Sequence, residues 1–539
     1  MDAHERRIVR FLSRRAAYPH AAGRIERRET HVSHVFLAGE FAYKLKKPVK
    51  FPFLDASTLA RRRRFCLLEL SLNRRLTSGI YLGVVPVIEQ QGFLRLGGQG
   101  RVLEWLVQMR RLPEARMLDQ LVPRDAVSSA DILRIADRLV AFFRRAARSR
   151  SISRYGAPQQ VAALVLGNLA ECRPFLGRLF SEGARAALES AYRQYLALAE
   201  PLLRRRVRQG RIIDGHGDLR CENICLPSHQ PGWCEGLPAG RRAPVQIFDC
   251  VEFEPAFRCG DMVNDLSFLS MDLEFRDRPD LARALVTRYL RRSRDPDAER
   301  LRLFYQCHRS LVRGKVRGFA WLQQPRTAHG RRVRKLAERH FALAVRYARQ
   351  FAPPRLIVVG GLIGSGKSTL ARALADGLGA AWLRTDEIRL AEFANTRQPA
   401  QGFASGLYAP RVSERVYQRM IRRAEALLRQ GRSVVCDGTF SRAAGRQALR
   451  RIARRHGASF HFFECVVPKA VALRRIARRL TARSDISEAR PEHYDRLRLG
   501  FEPVNGWPAR DWSRLSDNRP PGQTYQAALA ALRRAWFMA

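Results

Sequence analysis

Between residues 30 and 108 the apolar positions come in short runs, HVFLAGEFAYKL, YLGVVPVIE, GFLRL and VLEWLVQM, separated by glycine and polar residues. Runs of that length, broken by turn formers, predict strands joined by tight turns. One stretch among them, STLARRRRFCLLELSLNRRL, carries its apolar residues at helical spacing instead. From 112 to 350 the helical period dominates, interrupted by turn-rich stretches at 213–226 and 244–262. The pattern changes again after Phe351-Ala-Pro-Pro, because two prolines end a helix and favour an extended segment behind them. RLIVVGG, a glycine loop and KSTLARALADGLG then read as strand, loop and helix, and open an alternating region. The prediction is α/β and α+β: a sheet-rich lobe over about 1–110, a larger helical lobe over about 111–350, and a domain with a parallel sheet over 351–539.

At 539 residues the chain exceeds one ordinary core. Its formal charge of +48 would suit a polyanion through counterion release. The excess is nearly all arginine and runs along the whole chain, with no basic motif interleaved with aromatics, so nucleic acid is a possible partner and not the favoured one. No apolar run approaches the ~18 residues that span a bilayer. Met1-Asp-Ala-His-Glu lacks a basic stretch leading into an apolar one, and a cytoplasmic protein without membrane contact is expected. Of 98 basic side chains only eight are lysine, and four of these fall in FAYKLKKPVKF, residues 41–51. A compact ammonium on a slim stem fits beside phosphates where arginine's planar fork does not, which makes the lysines the positions to search for chemistry.

GLIGSGKST, residues 361–369, fits GxxxxGK[ST] between a predicted strand and a predicted helix. Gly361, Gly364 and Gly366 let the backbone wrap phosphates with its N–H groups, and the helix behind them presents its positive end. Lys367 reaches the terminal phosphates and the Ser368 hydroxyl serves magnesium, with Ser365 and Thr369 completing the nucleotide-binding set. AAWLRTDEIR reads as a second strand ending at Thr385-Asp386, with Arg389 one turn beyond. Asp386 is placed to accept a proton from a substrate hydroxyl, or to cap a helix with Thr385. SVVCDGTF is a strand ending in Asp437, positioned to hold the metal's water shell. ALRRIARRLTARSDISEAR, 472–490, stacks Arg474, Arg475, Arg478, Arg479 and Arg483 at helical spacing, either a solvated face or a lid over the transferring phosphate. Arg475 and Arg479 enter the nucleotide-binding set, and which lid arginine touches phosphate stays open.

A second constellation lies in DGHGDLRCENI, residues 214–224. Asp218 and Asn223 have the spacing of the kinase loop HRDxxxxN, with Gly217 in place of arginine. Asp218 can then accept the proton of an attacking hydroxyl while Asn223 turns back to magnesium. VQIFDCVEFE supplies a second metal carboxylate, Asp249, without the glycine of a DFG triad. In the sheet-rich lobe, Phe41-Ala42-Tyr43-Lys44 has the shape of a phosphate-pairing strand and FCLLELSLNRRL carries Glu69 to hold the lysine. Lys44–Glu69 is the expected pair, with Lys46 on the same strand face as its alternative.

The HGDxxxxN-then-Asp pattern resembles the aminoglycoside phosphotransferase family, which also lacks that glycine. FRCGDMVNDLSFLSMDL, 257–273, looks like the GD...DL helix of the same family, in which Asp261 and Asp265 would brace the catalytic loop. The resemblance implies a protein-kinase-like two-lobed fold. Residues from about 355 to 515 resemble the predicted-kinase branch of P-loop NTPases, with polynucleotide-kinase-like and zeta-toxin-like members, and the pairing resembles a bacterial bifunctional family. These resemblances imply transfer of γ-phosphate from ATP, with Mg2+, to a hydroxyl at each of two sites. The acceptor, a small molecule or a nucleotide or nucleic-acid end, is left open, as are ATP versus GTP and the oligomeric state. The alternative is an ATP-binding regulatory or nucleic-acid-binding protein in which one kinase-like domain is silent.

Overall fold

A computed structural model describes residues 3–51, 54–227, 243–393, 409–482, 490–516 and 518–538. The chain forms two compact units, Met1–Ala157 with Arg205–Arg309, and Pro158–Arg204 with Ser310–Ala539. Of the three boundaries between them, one falls at the start of the helix Pro158–Ala170 and two fall inside the helices Glu182–Arg208 and Ala298–Gln323.

The first unit is built on a six-stranded antiparallel sheet, ordered Glu26–Glu29, Ser33–Ala38, Phe41–Lys46, Arg101–Arg110, Tyr81–Gln90, Phe93–Leu96. Period-two alternation gives it two apolar faces. On one, Phe36, Tyr43, Leu45, Val87 and Leu106 cover Ile8, Val9 and Leu12 of the N-terminal helix Ala3–Leu12. On the other, Val107 and Tyr81 pack against Cys66 of the helix Leu59–Asn73. Thr58 caps that helix by accepting the Arg61 N–H at 3.3 Å. Lys44 is registered opposite Val107, so it projects to the helix side.

Farther along the first unit, two short antiparallel pairs hold a loop region open at its middle. Ile212–Asp214 pairs with Cys259–Asp261, and Ile224–Cys225 with Gln246–Ile247. Residues 215–223 and 248–258 are thereby brought side by side. The helix Met262–Phe275, almost wholly buried, backs them.

The second unit holds a five-stranded parallel sheet ordered Ala381–Arg384, Val434–Asp437, Arg355–Gly361, Ser459–Val466, Trp512–Ser516. Its central strand RLIVVGG is buried at every position, as a parallel strand covered on both faces requires. One face packs on Lys367–Leu378 and Pro521–Met538, with Leu198 of the long helix Glu182–Arg208 joining the cluster. The other packs on Pro410–Arg429 and Ala443–Arg455. Among the described residues no helix is long and apolar enough to cross a membrane.

Candidate active sites

Glu69, on the fourth turn of its helix and fully buried, receives both strand lysines. Lys44 Nζ donates to Glu69 Oε1 at 2.9 Å and Lys46 Nζ to Glu69 Oε2 at 2.6 Å. Lys44 also donates to Asp249 Oδ1 at 2.8 Å, and Lys46 to Glu252 Oε1. The two sequence alternatives thus meet at one carboxylate. Burial works to neutralise all three groups, but the mutual charges win: Glu69 is held down at about 2 and both ammonium groups are raised. Of the other lysines in this stretch, Lys47 donates to Glu29 and to the Thr30 carbonyl at the end of the strand Glu26–Glu29, and Lys50 lies in an exposed two-residue strand.

The loop 214–223 is shaped by a histidine and an aspartate. His216 Nδ1 accepts the Asp218 N–H at 3.2 Å and its Nε2 lies 2.9 Å from the Phe248 carbonyl, so the proton belongs on Nε2 and the ring is neutral. Burial, which lowers the pKa of His216, favours the same form. Asp265 accepts the N–H groups of His216 at 2.6 Å and Gly217 at 2.9 Å, while Asp261 takes both Nε and Nη2 of buried Arg206 at 2.7 Å. Gly217 has φ +86°, and a Cβ there would come within 2.8 Å of the Phe257 carbonyl. That is the physical reason for glycine where the kinase loop has arginine.

Asp218 is gripped on both oxygens by Arg220, at 2.8 and 2.9 Å. Asn223 Nδ2 donates to the Asp218 carbonyl at 2.8 Å and to Oδ2 at 3.1 Å, which turns the Asn223 carbonyl oxygen away from the aspartate. The Asn223 main-chain carbonyl accepts Phe248 N–H at 3.0 Å, so Asn223 and Asp249 come from adjoining segments. Asp249 has the left-handed φ +61° and an exposed side chain. Arg220, Glu252 and Arg309, which donates to the Gly217 carbonyl at 3.1 Å, were not singled out from the sequence. Arg220 carried a signal, its place two residues after Asp218; the other two carried none.

In the second unit the glycine loop follows the central strand. Gly361, Gly364 and Gly366 have φ +144°, +75° and +84°. A Cβ on Gly364 would lie 2.6 Å from the Ala472 carbonyl, so the loop and the helix Lys469–Ala482 can touch only through glycine. Ile363 packs there with Ala472 and Ile476. Arg475 and Arg479 follow those two by three residues and lie on the same side of the helix. Arg483 lies outside the described residues. Lys367, Ser368 and Thr369 open the helix behind the loop; Ser365 is buried within it, its hydroxyl without a hydrogen-bond partner among the described residues.

Asp437 ends its strand beside the central one, paired with Val359 and with Arg384. It is 1% exposed, and neither carboxylate oxygen meets hydrogen-bond geometry with any described group. Burial pushes its pKa up against the pull of Lys367, Ser368 and Arg384. The second strand ends at Arg384, just before the Thr385-Asp386 end that the sequence predicts, and Asp386 sits in the first turn of the helix Thr385–Phe393. Arg384 bridges the two acids, 3.8 Å from Asp386 Oδ2 and 3.8 Å from Asp437 Oδ2. Arg389 donates to Ser413 Oγ at 3.3 Å.

The family model described as an AAA domain matches residues 356–504. Among solved structures, an unliganded sugar kinase from Janibacter sp. aligns with TM-score 0.27 and 22% identity over 35% of this chain and 99% of that one. A choline/ethanolamine kinase family protein from Mesorhizobium loti aligns with TM-score 0.36 and 14% identity over 63% of this chain and 99% of that one. A glycine loop between a parallel strand and a helix, with a buried aspartate on the adjoining strand, makes the C-terminal part a P-loop domain, and it follows an N-terminal part built on an antiparallel sheet and helices. An uncharacterised protein of Mycobacterium tuberculosis is 35% identical over 464 residues, 86% of this chain and 87% of that protein, and the chain belongs to its family.

Proposed function

We propose that the chain is a two-site ATP-dependent phosphotransferase that moves γ-phosphate to hydroxyl acceptors, with a kinase-like domain over 1–350 and a P-loop kinase domain over 351–539. The observation that carries the reading is Lys44, bonded at once to Glu69 and to Asp249, in the unit that also joins Asp218 to Asn223. In the first site Lys44 binds phosphate, Asp218 takes the proton of the acceptor hydroxyl and Asn223 and Asp249 offer oxygen to the metal. In the second the loop 361–369 and Lys367 hold the phosphates, Asp386 takes the acceptor proton, Arg475 and Arg479 close over the phosphate, and Ser368 and Asp437 face the metal. Magnesium suits the donor set, since Asp437 has two buried oxygens in want of partners and Asn223 and Asp249 offer oxygen alone. When bound, magnesium neutralises charge on the phosphates. Positioning and electrostatics then supply the catalysis.

One observation favours a silent first site: Arg220 occupies both oxygens of the proposed base. The test is ATP turnover by the full chain, by Asp218→Asn, by Asp386→Asn and by the double variant. Each single variant should lose the share of turnover due to its own site, and the double variant both. Equal turnover in all four sinks the mechanism, and loss in Asp386→Asn alone leaves the first site as a regulator. Screening metabolites and polynucleotide ends for labelled phosphate identifies the acceptors.

A further inference from the structure

Two lysines share Glu69, and their second partners differ. Lys44 and Lys46 stand two residues apart on one face of a strand and take one Glu69 oxygen each. Asp249 and Glu252, their second partners, stand three residues apart on one segment. The outer half of this chain of charges is open, with Asp249 46% and Lys44 15% exposed at the side chain; the inner half is closed, with Lys46 5% and Glu252 10% exposed.

We propose that Lys46 and Glu252 are a positioning pair for the kinase-like site: they fix the segment that carries Asp249 and balance Glu69, so that Lys44 is the ammonium free to meet phosphate. The inference rests on the phosphotransfer reading above. Three carboxylates and two ammonium groups make up the cluster. When Asp249 leaves Lys44 for a metal, Glu69 is still compensated by Lys46, and Lys44 can turn its charge to phosphate. Without Lys46, Lys44 alone must neutralise Glu69, and Glu252 loses the ammonium it is bonded to.

The segment also needs holding. Asp249 adopts a left-handed backbone that an aspartate keeps only when its surroundings impose it. On either side of the charge pair, Cys250 N–H donates to Asn73 Oδ1 at 2.9 Å and Val251 N–H to the His216 carbonyl at 3.1 Å. Asn73 in turn donates to the Glu69 carbonyl at 2.8 Å. The glutamate helix therefore grips the segment through Asn73 and, by way of Lys46, through Glu252.

The test uses the full chain carrying Lys367→Ala, which silences the P-loop site so that ATP reports on the kinase-like site. Three quantities are measured: affinity for a fluorescent ATP analogue without metal, the Mg2+ concentration giving half-maximal ATP turnover, and amide hydrogen exchange over 248–254 in the ligand-free protein. Lys46→Met and Glu252→Gln should each raise the Mg2+ midpoint by about tenfold or more and speed exchange over 248–254, with metal-free affinity changed less than about threefold in Glu252→Gln and weakened further in Lys46→Met, where Lys44 is drawn to Glu69. Lys44→Met should do the reverse, weakening metal-free binding by about tenfold with little change in exchange. The double variant Lys46→Met/Glu252→Gln removes both charges together, so it regains melting temperature lost in either single variant while keeping the raised midpoint and the fast exchange. A double variant with wild-type midpoint and exchange overturns the inference, because the pair then only fills the interior. A Lys367→Ala protein that binds no ATP overturns the phosphotransfer reading of the first site and the inference with it, a result told apart by its appearing before any change at Lys46.

Discussion

Glu69 and Asp437 are both buried acids beside a lysine proposed to bind phosphate, and their surroundings drive them in opposite directions. Glu69 meets two ammonium groups at hydrogen-bond distance and is pulled well below the usual carboxylate range. Asp437 meets no full hydrogen bond among the described residues, has Arg384 at 3.8 Å, and is pushed up by burial. The first site is balanced by the protein's own charges. The second is short of a cation and stands to gain stability from whatever brings one. The two proposed phosphate centres thus differ in whether the protein or the ligand completes the electrostatics.

Glu69→Ala tests the balanced side most severely, because it leaves Lys44 and Lys46 buried around a hole. A loss of about 3–5 kcal/mol is expected in urea unfolding followed by a probe in the first unit. Its pH dependence carries a sign: the folded value of Glu69 lies below the unfolded one, so its contribution is complete above the ordinary glutamate range near ~4.3 and disappears as pH falls toward about 2. Glu69→Gln should erase that slope, and an unchanged acid limb would count against the contrast. Asp437→Asn sharpens the other side. Removing an unsatisfied charge should stabilise the ligand-free second unit by about 1–2 kcal/mol while cancelling the rise in melting temperature that MgATP gives. Destabilisation by Asp437→Asn without ligand would mean the acid is satisfied after all. The smallest effect belongs to Lys47, whose partner Glu29 is largely exposed: Lys47→Ala should change stability by no more than about 0.5 kcal/mol and leave ATP turnover as it was.

Much of the arrangement was readable from short-range pattern. A glycine loop between an apolar strand and an amphipathic helix, an Asp and an Asn five residues apart, and a lysine strand followed by a helix bearing Glu69 are all local signals. What escaped depends on contacts far apart in the chain. Glu252 reaches Lys46 across 206 positions, and no period or spacing announces it. Arg384 was hidden in a different way, since it looked like a strand residue of no special kind until Asp386 and Asp437 were placed beside it. The helical reading of 112–350 likewise could not say that Leu198 and Gln194 serve the parallel sheet, Gln194 accepting from Ser433 at 2.9 Å and donating to the Pro353 carbonyl at 2.9 Å. The shared use of Glu69 was half visible, because Lys46 was known to face the same way as Lys44 and only the geometry could show that one carboxylate serves both.

The order of strands in the second unit has a bearing on how the domain comes into being. The central strand Arg355–Gly361 is synthesised first, yet both of its neighbours, Val434–Asp437 and Ser459–Val466, come later in the chain. The backbone atoms that force glycine at 361 and 364 belong to Cys465 and Ala472, so the loop's shape is imposed by partners that leave the ribosome roughly a hundred residues afterwards, at the high sequence separation that slows folding. A chain halted before residue 465 would contain the whole GLIGSGKST motif and still lack the backbone that moulds it. The motif is written early, and the pocket exists only when the domain is nearly complete.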